Sequence, residues 1–208
     1  MNKVIFKFVA IFLVVYFILI MQQIGMGDKY AAFLRWEAQY FLGNFRSIGV
    51  AEFLPNKDTH SWNFPTNIHI YNSKHYAHSL KTGATYQWTR ISLDLYHDFL
   101  FVAFLLALIL ATPLPLKRKI PALLLALLLI QLYVNFTIYI EMVNTFNKTP
   151  VLEAPPLSPV AERIVHFLHP IVRVNYGTGF FVAVFIWIVV CFRKEDLTKL
   201  MKLTEYKE

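Results

Sequence analysis

Long apolar stretches separated by polar, turn-rich segments set the pattern along this chain. Phe99–Leu116, Ile120–Ile140 and Val174–Phe192 are almost free of charge, and Val4–Met21 carries only Lys7. Each approaches the ~20 apolar residues that cross the ~30 Å hydrocarbon core of a bilayer as a helix. The pattern predicts a membrane protein, mainly α, with four transmembrane helices at 4–21, 99–116, 120–140 and 174–192. A small external α+β module is expected at 22–98, a cytoplasmic turn at 117–119, an external loop at 141–173 and a cytoplasmic tail at 193–208. The first run starts basic, at Lys3 and Lys7, but exceeds an ordinary signal-peptide core. Met21-Gln22-Gln23 is no A-x-A cleavage site, so an uncleaved signal anchor is expected.

In the first polar segment, Asp28–Phe45 is amphipathic and aromatic-rich, with Tyr30, Phe33, Leu34, Trp36, Tyr40 and Phe41 at three- and four-residue spacings. Asp28 suits an N-cap and Gly43-Asn44 a stop. Such a helix either lies along the headgroup layer or packs on the external module. Further on, Ile68–Tyr71 and Thr85–Leu95 alternate as strands do, and Ala51–Leu54 adds a short third. Tyr86, Trp88, Arg90, Ser92 and Asp94 then face one way, and Thr85, Gln87, Thr89, Ile91, Leu93 and Leu95 the other. In the second segment, Pro150, Pro155, Pro156 and Pro159 make an extended crossing that leads into an amphipathic Val160–Leu168.

Composition agrees with a membrane setting: 57% of residues are hydrophobic and only 16% charged, against ~25% charged in soluble domains. The net charge of +7 is distributed by topology. Lys3, Lys7, Lys117, Arg118, Lys119, Arg193, Lys194, Lys199, Lys202 and Lys207 cluster in short pieces, and the other basic residues are thinly spread over the long external segments. The positive-inside rule then puts both termini in the cytoplasm of a multi-pass inner-membrane protein. No basic patch interleaved with aromatics points to nucleic acid. The expected partners are the lipid bilayer and another integral membrane protein. Cys191 is the only cysteine, so no intrachain disulfide forms.

Candidate packing residues are Ala103, Ala107 and Ala111 in the second run, and Gln131, Asn135 and Tyr139 in the third, each set spaced by four. Amides in hydrocarbon need hydrogen-bond partners, so this face looks into a bundle or at a partner helix. Among the histidines, His75-x-x-His78 and His166-x-x-His169 have helical spacing. They offer copper or zinc ligands only as an alternative to no cofactor at all, because the spacing is not diagnostic. Arg90, Asp94 and His97 form a possible polar site at the outer end of the second run. No nucleophile stands beside them, and Cys191 lies at the far end of the last run. The apolar runs contain no histidine for haem and no mid-span acid or base for an ion pathway.

The stretch Leu105–Pro113, Leu116–Lys119 and Leu123–Gln131 resembles a hairpin of bacterial exosortase-related membrane proteins: an Ala-rich span, a Pro turn, basic residues, then a Leu-rich span with amides. The overall plan resembles the accessory membrane proteins associated with class H exosortases. The cysteine that such sorting enzymes use on the outer side is missing here, so the resemblance implies an accessory component rather than the transpeptidase. The expected function is a non-catalytic accessory, assembly or scaffold subunit of a bacterial inner-membrane complex. The alternatives are a metal-binding or redox accessory subunit using the external histidines, and a membrane enzyme at the outer interface.

Overall fold

The computed structural model describes residues 3–21, 25–56, 65–83, 87–174 and 177–192. The tail expected at 193–208, His60, and the start of the alternating run at Thr85 lie outside these. The described elements are α1 (Lys3–Ile20), α2 (Met26–Leu42), β1 (Asn44–Phe45), β2 (Gly49–Pro55), β3 (Pro65–Asn72), α3 (Ser73–Thr82), β4 (Trp88–Asp94), α4 (Leu95–Ala111), α5 (Leu116–Lys148), α6 (Pro159–His169) and α7 (Gly177–Cys191). A 3-10 turn, Pro150–Leu152, follows α5, and a π-helical turn, Pro170–Val174, follows α6. The chain forms two compact units. One comprises Met1–Met21, Leu100–Leu132 and Gly179–Glu208, and the other Gln22–Phe99 and Tyr133–Thr178.

The second unit is built on an antiparallel meander, β1-β2-β3-β4. Period-two alternation decides its faces. Ala51, Phe53, Ile68, Ile70, Ile91 and Leu93 are all buried on one side. Burying each of the large side chains there contributes ~1.5–3 kcal/mol. The α2 helix covers this layer with Gly27, Ala31, Leu34 and Ala38. Gln39 pins it to β2, accepting from Phe53 N at 3.0 Å and donating to the Ala51 carbonyl at 3.1 Å. Arg46, in a left-handed conformation at φ 52°, donates to Asn147 Oδ1 and to the Pro155 carbonyl, and lies over the Phe146 ring. Asn72 donates to the Leu152 carbonyl at 2.9 Å. These bonds hold the Pro-rich crossing and the end of α5 within this unit.

The first unit packs aromatic rings and small residues. Phe12 and Tyr16 meet Phe104 edge-on, and Phe104 meets Phe180 in the same way at 5.2 Å. Gly179 sits against Phe101, where a Cβ would come within 2.5 Å of the ring. Ala103, Ala107 and Ala111 are buried in one stripe of α4, and Ala122 and Ala126 in α5.

The expected four transmembrane helices are corrected by the helix lengths. Among the described residues, one unbroken helix is long and apolar enough to cross a bilayer, α5, with 33 residues. Pro113 and Pro115 stop α4 at Ala111, leaving 17 residues. The apolar part of α1 is Ile5–Ile20, and α7 has 15 residues. At 1.5 Å per residue these three reach only ~22–26 Å, short of the ~30 Å hydrocarbon core. The basic residues Lys117, Arg118 and Lys119, expected in a turn, form the first turn of α5 instead.

Candidate functional site

Register across the sheet brings together side chains that are distant in sequence. Glu52 on β2 is opposite His69 on β3, and His69 is opposite Arg90 on β4. The three make one row on the face turned away from α2. Trp88, 46% exposed, stacks on His69 with ring centroids 4.2 Å apart. The neighbouring row pairs Asn67 with Ser92. Asn67 is buried, and its Oδ1 accepts no hydrogen bond from the described residues. Tyr71, also buried, stacks on Tyr76 of α3 at 5.1 Å. This open face carries aromatic area, the exposed Arg90 guanidinium and the polar groups of Glu52, His69 and Asn67.

The polar site expected from Arg90, Asp94 and His97 divides into two. Asp94 Oδ1 accepts from Tyr96 N at 2.9 Å, capping the start of α4, and Asp94 Oδ2 lies 3.3 Å from His97 Nδ1. Arg90 shares their face of β4 but stands about 13 Å up the strand, at ~3.3 Å per residue. Arg90 therefore belongs with His69 and Trp88.

The two histidine pairs do not converge. His75 Nε2 lies 3.2 Å from Glu153 Oε2, and His169 Nε2 lies 2.8 Å from Glu141 Oε2. His78 and His166 are exposed on α3 and α6. Among the described residues no group of three or more His, Cys, Asp or Glu comes together. Glu141 and His169 are both largely buried and tie α6 to α5 across 28 residues of sequence.

Gln131, Asn135 and Tyr139 are half-buried along one edge of α5, beside a packed stripe of Ile130, Val134 and Ile138. On another side of α5, Leu116, Ile120, Leu124, Leu128, Leu132 and Phe136 are all exposed. They extend over ~30 Å at 1.5 Å per residue. Beyond Phe136 the exposure of large apolar side chains on this helix ends: Thr137, Ile138, Ile140, Met142, Val143 and Phe146 are buried.

Two other helices expose apolar stripes. On α2, the side away from its buried face shows Phe33, Trp36 and Tyr40, and Phe41 is exposed at the helix end. On α6 no residue is buried, and Val160, Ile164 and Phe167 line one side while Glu162, Arg163 and His166 line the other. Ser158 caps α6 by accepting from Ala161 N, and Pro159 occupies its first turn.

A buried titratable group escaped the sequence reading. The Tyr30 hydroxyl sits in the second unit beside the Phe99 ring. Burial raises its pKa well above the ordinary value, and the charges of Asp98 and Glu37 raise it further. Asp98 is itself only 3% exposed. On the same helix, burial lowers the pKa of Arg35, with the Asp28 charge opposing, and its guanidinium donates to Thr66 Oγ1 at 3.2 Å. Helical spacing puts Tyr30 and Glu37 on one side of α2, but Asp98 joins them only through the fold.

Comparison with family models, with curated proteins and with solved structures found no match to this chain.

Proposed function

We propose that this chain is a non-catalytic accessory, assembly or scaffold subunit of a bacterial inner-membrane complex. The observation that carries this reading is the ~30 Å line of exposed leucine, isoleucine and phenylalanine on α5. Water does not favour so long an apolar strip, and lipid does. Exposed Phe181 and Phe185 on α7 and Phe6 and Phe17 on α1 extend the same chemistry to the shorter helices of that unit. The stripes on α2 and α6, aromatic on one and amphipathic on the other, suit the headgroup layer. Lys117, Arg118 and Lys119 at the start of α5 lie on the cytoplasmic side by the positive-inside rule.

The partner contact is assigned to the open sheet face around Trp88, His69 and Arg90. Trp and Arg are the side chains that most often anchor protein interfaces. The carboxylate–histidine pairs Asp94–His97 and Glu141–His169 are used to hold helix ends. The hairpin resemblance makes a protein-sorting enzyme the favoured class of partner.

Purification from native membranes in gentle detergent, followed by mass spectrometry, tests this. One integral membrane protein is expected to co-purify in stoichiometric amount, and Trp88→Ala with Arg90→Glu is expected to release it. Recovery of the wild-type chain as a lone monomer, or in solution without detergent, would contradict the reading.

A further inference from the structure

Beside the basic start of α5 lies a cavity of about 140 Å³, lined by Lys117, Arg118, Leu114, Pro121, Ala122, Leu125 and Val190. Its wall is of two kinds. Lys117 and Arg118 supply cations, and the other five residues are apolar. The volume suits a small headgroup with its first methylenes rather than a whole ligand of ordinary size, for which pockets run to ~300–1,000 Å³.

The charge balance of the unit gives the cavity a sign. Its described residues include Lys3, Lys7, Lys117, Arg118 and Lys119 and not one Asp or Glu. Lys119 donates its ammonium to the Leu110 carbonyl at 2.9 Å. Its neighbours Lys117 and Arg118 border the cavity. A guanidinium and an ammonium together form the donor set that binds phosphate. The leucine, proline, alanine and valine side chains do nothing for a free anion, but they match the start of an acyl chain. Next to the cavity, Leu116, Ile120 and Leu124 are exposed and continue the apolar surface.

We propose that this cavity binds the phosphate of an anionic phospholipid between Lys117 and Arg118, with the chain end of the lipid against Ala122, Leu125 and Val190. The site deepens the membrane reading and rests on it. Basic pockets at the cytoplasmic ends of membrane helices are a known mode of headgroup recognition. No bond is made or broken. The lipid fixes the first turns of α5 at the membrane surface.

The test uses the full chain in mixed micelles of detergent with equal parts phosphatidylglycerol and phosphatidylcholine. Lipid retained after gel filtration is counted by mass spectrometry. The wild type is expected to retain phosphatidylglycerol several-fold over phosphatidylcholine. Lys117→Gln with Arg118→Gln is expected to reduce that ratio to one. Ala122→Phe, which fills the cavity without touching a charge, is expected to do the same while the helical circular dichroism is unchanged. If Ala122→Phe fails to fold, the charge variant at the exposed Lys117 still decides. Equal retention of both lipids by the wild type would overturn the proposal. So would displacement of the lipid by inorganic phosphate, which would assign the site to the free anion. A chain that needs no detergent ends the membrane reading itself. One that needs detergent yet shows no lipid preference ends only this proposal.

Discussion

Trp187 donates its indole N–H to the hydroxyl of Thr112 at 2.8 Å, and that hydroxyl in turn donates to the Leu108 carbonyl at 2.7 Å. One buried oxygen thereby joins α7 to the end of α4, where Pro113 and Pro115 halt the helix. Thr112→Val keeps the shape and removes the acceptor, leaving an indole N–H without a partner. A loss of about 1–3 kcal/mol is expected, the cost of one unsatisfied buried donor. Thr112→Ser keeps the hydroxyl and is expected to stay near wild type. Thermal unfolding in detergent, followed by tryptophan fluorescence, separates the two variants.

Gly179 and Phe101 make a contact that leaves no room for a side chain, since a Cβ would stand 2.5 Å from the ring. Phe101 is buried, so its ring can yield only by displacing its neighbours. Gly179→Ala is expected to destabilise the first unit by about 1–3 kcal/mol through overpacking. Adding Phe101→Leu is expected to return part of that loss. A double-mutant cycle on unfolding midpoints measures the coupling.

Tyr30 supplies a pH dependence with a definite sign. Its folded pKa lies well above the ordinary value because of burial, with Asp98 and Glu37 adding to the effect. Between pH ~10, where an unfolded tyrosine ionises, and the folded pKa, the unfolded state binds fewer protons than the native one. Stability is therefore full below pH ~10 and falls as the pH rises through that window. Tyr30→Phe keeps the ring against Phe99 and removes the proton. Its alkaline unfolding curve is expected to be flatter than that of the wild type, and identical slopes would refute this origin.

Arg46 fastens the β1–β2 connection through two acceptors, Asn147 Oδ1 and the Pro155 carbonyl at 2.7 Å, and lies over the Phe146 ring. Lysine has neither the planar fork nor the flat face for stacking. Arg46→Lys is expected to cost about 1–2 kcal/mol, in the range of hydrogen bonds to a charged group. Proteolysis of the Pro-rich crossing near Pro155 is expected to quicken in the variant, read as the rate of loss of full-length chain.

Local patterns in the sequence mapped well onto local elements. The alternation of Trp88 to Asp94 supplies β4, with Ile91 and Leu93 turned inward. The amphipathic stretches after Asp28 and after Pro159 supply α2 and α6. Of the two readings left open for α2, the structure shows the packing on the external module: Leu34 and Ala38 face the sheet core, and Trp36 and Tyr40 face outward. The apolar runs misled, because hydropathy does not see where backbone geometry stops a helix. Pro113 ends α4 early, and α7 begins only at Gly177, inside the last run. The candidate sites were less legible still. Glu52, His69 and Arg90 meet only through strand register, and Glu141 and His169 only through tertiary packing. No spacing rule reaches across 28 residues. His75 and His78 share α3, yet it is Glu153 that approaches His75.

The central claim is that the outward face of α5 lies in lipid. Single cysteines at Leu124, Leu128, Leu132 and Phe136, in a chain whose Cys191 is replaced by serine, test it most directly. In native membranes a water-borne maleimide is expected to leave all four unmodified, and to modify a cysteine at exposed Val151 readily. Modification at Leu124, Leu128 and Leu132 as fast as at Val151 would put that face in water and contradict the account.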